Sequence, residues 1–517
     1  MLGRRVLLFN PPLVNGVSFT RQGRCQEREE VLGTTKPPYT LAVLAALLRE
    51  NGIEFRLVDQ TAERLPTEQL VERLRAEGFS PTLLVCASST PTLAADVAEA
   101  KKLKEAFGAP LVSFGPHASA APQASMERAP DVDAMIVGEP EDALLELARL
   151  DSFDQAERVA SLTVRRGETV FAHRAHGSYA DFPSMPFPAW DLLPLDRYKL
   201  PLENARYLMV ETSRGCPYSC DFCVAPVMQG HKFRERDAVA IVDEIEDSVR
   251  RFGIRHFYLW GDTVTLNAKS FSRFCDELIA RKLDVHWFGN GRADTLTNPE
   301  FVARLRKSGC WMLALGIESE SDDVRRDMMK KLEREKIRLA VENLRTAGIK
   351  SFAFFILGYP GDTHQSMERT ARYAREIGLD FVNFYPAVPY PGTEMYEKCR
   401  RDNMLVTDDW SKLEYSYYVL NQNGLDEAAV MAAIRRATRQ FYLRPSWMAR
   451  HTVDLWKIVH SSGRIVWHTI LRLARGDGRV PSVPASPAPQ AAQAVPVPVH
   501  RVEIFRPASG DDRRPQP

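Results

Sequence analysis

Residues 206–223 read RYLMVETSRGCPYSCDFC. Tyr207–Glu211 is an apolar run of strand length, and it empties into a loop where Cys216, Cys220 and Cys223 fall within eight residues. The pattern then repeats downstream. Strand-like runs at His256–Trp260, Val285–Phe288, Met312–Gly316, Phe352–Leu357 and Phe381–Tyr385 alternate with helical periodicity at Ala238–Phe252, Ser270–Arg281, Glu300–Lys307, Glu333–Ala347 and Ser366–Ile377. Strands separated by helices predict a parallel sheet with right-handed crossovers. Eight such units close a barrel of roughly 250 residues. The six between 206 and 395 predict an open, partial (β/α)6 barrel.

Upstream, residues 1–150 alternate in the same way. Strands are expected at Arg5–Phe9, Glu54–Val58, Thr82–Cys86, Pro110–Phe114 and Asp133–Val137, with helices at Tyr39–Glu50, Thr67–Ala76, Ala94–Phe107 and from Glu141 to about Leu150. This is an α/β, doubly wound, Rossmann-like pattern. Ligands of such sheets sit beyond the carboxyl ends of the strands. The loops there are Asn10-Pro11-Pro12, Ser88-Ser89-Thr90, Gly115-Pro116-His117 and Gly138-Glu139-Pro140-Glu141. None contains the G-x-G-x-x-G phosphate loop of a dinucleotide site. Residues 151–205 are crowded with prolines, which break ladders, and read as an ordered connector. Residues 396–477 read as a helical C-terminal region. Residues 478–517 are Pro/Ala/Val/Gln-rich and are expected to be disordered.

The whole chain has 517 residues, 44% hydrophobic and 26% charged, with 68 Lys+Arg against 67 Asp+Glu. That composition excludes collagen-like and wholly disordered classes. A net charge of +1 supplies no field that would draw the chain to nucleic acid. No apolar run reaches the ~18 residues of a spanning helix. The start, MLGRRVLLFNPP, lacks the long apolar region and cleavage site of a signal peptide and reads as a buried strand. Eight cysteines are too sparse for a disulfide scaffold. Cys25, Cys86, Cys275, Cys310 and Cys399 are scattered, whereas the other three cluster. A reducing, cytoplasmic setting is expected, and such a cluster reads as metal ligands first.

Three thiolates can hold three irons of a cubane cluster and leave the fourth open to a small molecule. A catalytic zinc keeps one position free in the same way. A zinc site with a distant fourth ligand, or thiols without metal, are the alternatives. The loop sits at the carboxyl end of a barrel strand, where catalytic groups belong.

At these residues the chain resembles the radical S-adenosylmethionine superfamily. The resemblance rests on C-x3-C-x2-C with an aromatic, Phe222, before the last cysteine, at the opening of a partial barrel. It implies a 4Fe-4S cluster on Cys216, Cys220 and Cys223, whose open iron chelates S-adenosylmethionine. Reductive cleavage of that molecule would yield a 5′-deoxyadenosyl radical. Asp262, in Leu259-Trp260-Gly261-Asp262, would meet the methionine amine, although the family has Glu there. Glu318, after Gly316-Ile317, would accept the ribose hydroxyls. Gly358 and Tyr359 would present backbone to the adenine, and Phe222 would flank it.

The N-terminal loops resemble the cobalamin-binding domain that precedes many such enzymes, so the resemblance covers roughly residues 1–445. It implies that Pro11, Pro12, Ser88, Ser89, Gly115, Pro116, His117, Gly138 and Glu139 approach cobalamin. No Asp-x-His-x-x-Gly is present in residues 1–150, which implies cobalamin held without a histidine on cobalt. The expected reaction is C-methylation of an unactivated carbon. Oxidative cyclisation or rearrangement with the same cofactors is the alternative, and an iron–sulfur electron carrier or sensor the second. A flavodoxin or ferredoxin would supply electrons. Residues 435–479 carry ten Arg or Lys against Asp454 and Asp477, interleaved with apolar residues. That pattern suits a helix packed on the barrel, or peripheral contact with the inner face of a membrane and a lipid substrate.

Overall fold

The computed structural model describes residues 4–457, except 24, 25, 27, 29–34, 173–178, 201 and 202. Cys25, the segment 458–477 and the tail 478–517 lie outside the described residues.

The N-terminal sheet is built on β1 (Val6–Asn10), β2 (Phe55–Asp59), β3 (Leu83–Ala87), β4 (Leu111–Phe114) and β5 (Ala134–Ile136), ordered 2-1-3-4-5 and parallel throughout. Strands β1, β3, β4 and β5 are buried at every residue, as a sheet with helices on both faces requires. The sheet does not stop at residue 150. A hairpin of β6 (Leu162–Arg166) and β7 (Thr169–Ala172) adds two antiparallel strands beyond β5. The connector reading missed this hairpin because its strands are short and half polar.

The proline-rich stretch is part of the core as well. Trp190 and Tyr198 are fully buried, Tyr198 donates its hydroxyl to Asp59 at 2.7 Å, and the Trp190 ring meets Tyr39. Proline stops this segment from joining a ladder, but its aromatics tie the two sheets together.

The second sheet has six parallel strands in sequence order: β8 (Tyr207–Glu211), β9 (His256–Trp260), β10 (His286–Gly291), β11 (Cys310–Glu318), β12 (Lys350–Leu357) and β13 (Phe381–Pro386). Helices Ala238–Phe252, Ala268–Ala280, Pro299–Lys307, Arg334–Ala347 and His364–Glu376 cover its outer face. Side-chain caps from Asp237, Asn267, Asn298 and Thr363 start four of them. Along β12 residues alternate strictly. Ser351, Ala353, Phe355 and Leu357 are buried under the helices, while Phe352, Phe354 and Ile356 are half-exposed towards the lumen. Closed eight-stranded barrels fill that lumen with side chains. Six strands leave it open.

Beyond the barrel, helix Glu427–Tyr442 packs on β13, and Trp447 donates to the carbonyl of Asp380 at 2.6 Å. Asp454 pairs with Lys350 and with His451 at 2.9 Å. Lys350 and Asp380 stand at or just before the starts of β12 and β13. The C-terminal segment is therefore clasped to the end of the barrel away from the cysteines. No described helix is long and apolar enough to cross a membrane.

Candidate active site

The cysteine loop begins one turn past β8. Ser213–Arg214 pairs antiparallel with Arg234–Glu235, and everything between them forms the loop. Gly215 sits at the neck with φ +81°. A Cβ there would lie 2.2 Å from the carbonyl oxygen of Lys232, so only glycine passes. Asp221, inside the cysteine motif, pins the loop from three sides. Its amide donates to Met328, its carbonyl accepts from Met395, and its carboxylate accepts from the Tyr359 hydroxyl. Burial pushes the Asp221 carboxyl up to about 6.

Cys216, Cys220 and Cys223 are half-buried and line one cavity of about 200 Å³ inside the barrel mouth. Cys86, Cys275, Cys310 and Cys399 are buried elsewhere, and burial raises all four thiols, three of them to about 12. Those four are packed away from the cavity, whereas the three that line it are half-buried thiols. Among the described residues no group of three or more His, Cys, Asp or Glu side chains converges on a point where a single ion could sit. A cubane asks for a different arrangement, one thiolate per iron, which three half-buried thiols on one cavity wall could supply.

Phe222, Asp262 and Glu318 line the same cavity. Glu318 ends β11 across a register shift and holds φ +69°, a left-handed conformation unusual outside glycine. Its Oε1 accepts from Lys330 Nζ at 2.8 Å, with both side chains nearly buried. Gly316 makes room for the pair, because a Cβ there would fall 2.5 Å from that oxygen. Lys330 also lies over the Phe222 ring, 5.9 Å from its centroid. Arg292 covers Tyr218 at 3.8 Å and donates to the carbonyls of Lys330 and Lys331.

Sequence reasoning missed Lys330 and Arg292. Arg292 follows β10 directly, so the strand-end rule alone points to it. Lys330 lies after a helix in an unmarked run, Met328-Met329-Lys330-Lys331, and no local signal singles it out. The lumen also presents Tyr258, Phe354 and Tyr385, which follow from period-two alternation on their strands.

Gly358 and Tyr359 do not reach the cavity, contrary to the expectation of backbone facing an adenine. Their amides both donate to Asp362 at 3.1 Å, and their carbonyls accept from Gln422 at 3.0 and 2.9 Å. The turn is spent on its own fold. Ile356, two residues earlier, lines the cavity instead.

The carboxyl ends of the N-terminal strands face the barrel mouth. Gly115, Gly138 and Glu139 line a second cavity, between the sheets, which shares Trp260 and Asp262 with the first. Gly115 and Gly138 bring bare backbone to this wall, as a ligand lying flat against the strand ends would need, and a Cβ on Gly115 would strike the carbonyl oxygen of Ser88 at 2.5 Å. The other expected contacts are not on either wall. Ser88 bonds Ser113 at 2.7 Å, Ser89 bonds Thr92 at 2.9 Å, and all are buried. The carbonyls of Pro11 and Pro12 accept from Thr61 and Arg21. Pro116 opens a short buried helix, Pro116–Ala120. His117 is wholly buried under the Trp410 ring, its Nδ1 is 3.0 Å from Thr90 Oγ1, and burial lowers its pKa to about 3.

Two family models match the chain. The radical SAM superfamily model matches residues 210–374, and the B12 binding domain model matches residues 30–148. An uncharacterized methyltransferase of Pyrococcus horikoshii is 28% identical over 445 residues, covering 85% of this chain and 93% of its own. The anaerobic magnesium-protoporphyrin IX monomethyl ester cyclase of Cereibacter sphaeroides is 27% identical, covering 80% of this chain and 68% of its own. Among solved structures, the radical S-adenosylmethionine methyltransferase TsrM of Kitasatospora setae, with cobalamin and a [4Fe-4S] cluster bound, superposes with a TM-score of 0.61 at 18% identity, covering 77% of this chain and 75% of that one. With the B12 domain on one side of the interface, the radical SAM barrel on the other, and three thiols in the barrel mouth, the chain combines the two domains of the cobalamin-binding radical S-adenosylmethionine enzymes.

Proposed function

We propose that the protein is a cobalamin-dependent methyltransferase that methylates an unactivated carbon of a small molecule. The observation that carries this reading is that the two cavities meet at Trp260 and Asp262, so a methyl donor on the N-terminal sheet and a radical source on the cysteine loop would face one substrate. In this reading the N-terminal cofactor domain runs to the end of the hairpin at Ala172, and the barrel spans 206–395. Cys216, Cys220 and Cys223 hold the cluster. When bound, the cluster and S-adenosylmethionine supply a hydrogen-abstracting radical, and cobalamin supplies a methyl group.

The chain's own residues do the rest. Phe222, Glu318 and Asp262 hold and orient S-adenosylmethionine against the thiols. The aromatic lumen wall excludes water from the reacting carbon. The Asp221–Tyr359 bond holds the cysteine loop in register with β12. Electrons come from an external donor of flavodoxin or ferredoxin type. A peripheral membrane contact would lie at the clasped C-terminal helix, at the end of the barrel opposite its mouth. The basic segment therefore no longer argues for a lipid substrate.

Methylation consumes a second S-adenosylmethionine as the methyl source. With substrate present, S-adenosylhomocysteine and 5′-deoxyadenosine should therefore form in about equal amounts. The similarity to a cyclase sustains one other reading, oxidative cyclisation with the same cofactors. Deoxyadenosine without S-adenosylhomocysteine, and a product of unchanged carbon count, would decide for it.

A further inference from the structure

Arg214 stands two residues before Cys216, and its side chain is 5% exposed. It donates to Glu211 at 2.9 Å within its own domain and to Glu141 at 2.7 Å across the interface, and Glu139 lies 3.5 Å away. Arg234, its neighbour in the two-stranded ribbon, donates to Glu139 at 3.0 Å. Two arginines flanking the cysteine loop thus grip two glutamates of the turn after β5. The carboxylate of Glu139, expected to approach a cofactor, is committed to this grip.

A guanidinium buried among carboxylates is tolerable only while its partners stay in place, since losing one leaves an uncompensated charge. Movement of the 138–141 turn must therefore move Arg214. The neck of the loop is tied to the opposite strand by the Arg214–Arg234 pairing and by the Cys216 amide, which donates to the Gly230 carbonyl at 3.1 Å, so that movement is passed on to Cys216. The same turn, with Gly138 and Gly115, forms the wall of the interdomain cavity.

We infer that the Arg214–Glu139–Glu141 cluster couples the two cofactor sites, so that cobalamin against the 138–141 turn and S-adenosylmethionine on the cysteine loop bind with positive cooperativity. The inference rests on the cofactor assignment above. Arg214 acts as a positioning residue, because it orders the thiols through the backbone and touches no reacting atom.

The test uses cluster-reconstituted full-length protein, with and without hydroxocobalamin, and measures the dissociation constant of S-adenosylmethionine by equilibrium dialysis. Cobalamin should tighten that constant about fivefold or more, and S-adenosylmethionine should tighten cobalamin by the same factor. Arg214→Met and Glu141→Gln should each bring both ratios towards one while both ligands still bind singly. Glu141→Gln keeps the turn's shape and carries the test if Arg214→Met fails to fold. A ratio of one or less in the unaltered protein, or an undiminished ratio in the variants, overturns the coupling. Failure to bind cobalamin or S-adenosylmethionine at all would instead overturn the cofactor assignment, so the two failures are distinct.

Discussion

Glu318 keeps a strained left-handed backbone and a buried bond to Lys330 at the mouth of the barrel. Such strain persists only where the surroundings enforce it, and it concentrates at functional sites. Glu318→Ala and Asp262→Ala should weaken S-adenosylmethionine binding ~10–150-fold, the worth of a lost charged hydrogen bond. Iron content should not change. Glu318→Gln retains an acceptor for Lys330 and should lose only ~10-fold. Unchanged dissociation constants in all three would mean the pocket lies elsewhere. His117 makes the opposite case. Its pKa falls from 6.5 to about 3 because the ring is buried, so the folded protein keeps it neutral where the unfolded chain protonates it. Below pH 6.5 the unfolded state binds the extra proton, and stability falls as pH drops from 6.5 towards 3. The loss is at most roughly 4–5 kcal/mol. His117→Gln should flatten that limb in denaturant titrations without altering the spectrum or retention of cobalamin. A spectrum that shifts in the variant would put the histidine back at the cofactor. The cysteines were legible from their spacing, and Asp262 and Glu318 because each stands at or just past the carboxyl end of a strand. Lys330 was not, since only the folded segment 328–332 brings it over Phe222.

Among the elements, the parallel strands were the most legible, because burial on both faces leaves unbroken apolar runs such as Val6–Phe9 and Leu83–Ala87. Strand ends were less so. β11 reads as far as Gly316 by its apolar pattern but continues to Glu318 through a register shift that a polar residue conceals. The hairpin Leu162–Ala172 was hidden by its short, partly polar strands, and the packing of Trp190 and Tyr198 by the prolines around them. The C-terminal helices show a division that sequence periodicity blurred. Trp447, His451 and Asp454 face the barrel, while Leu443, Met448, Val453 and Trp456 are exposed, as are Arg436, Arg439 and Arg450 in the same helices. Exposed apolar residues and arginines in one segment would suit an anionic bilayer, each cation adding ~1 kcal/mol near such a surface. In sedimentation with vesicles, binding to phosphatidylglycerol should exceed binding to phosphatidylcholine ~10-fold and fall with salt. Val453→Glu with Trp456→Glu should abolish it. Equal binding to both vesicles, or to neither, would leave this face a solvated one.

At the scale of the molecule, the two sheets point their carboxyl ends at each other, and the buried charges of Arg214 and Arg234 cross the gap. Domain order and loop pattern already indicated two cofactor sites in one chain. That the two cavities meet at Trp260 and Asp262 could not be read from sequence, because it depends on how the two sheets dock. The most direct test is anaerobic reconstitution followed by gel filtration and reduction in the presence of S-adenosylmethionine. The protein should retain about four irons and one cobalamin per chain and release 5′-deoxyadenosine, whereas Cys220→Ala should release none. Undiminished cleavage in Cys220→Ala, zinc as the sole bound metal, or cobalamin lost on the column would contradict the account.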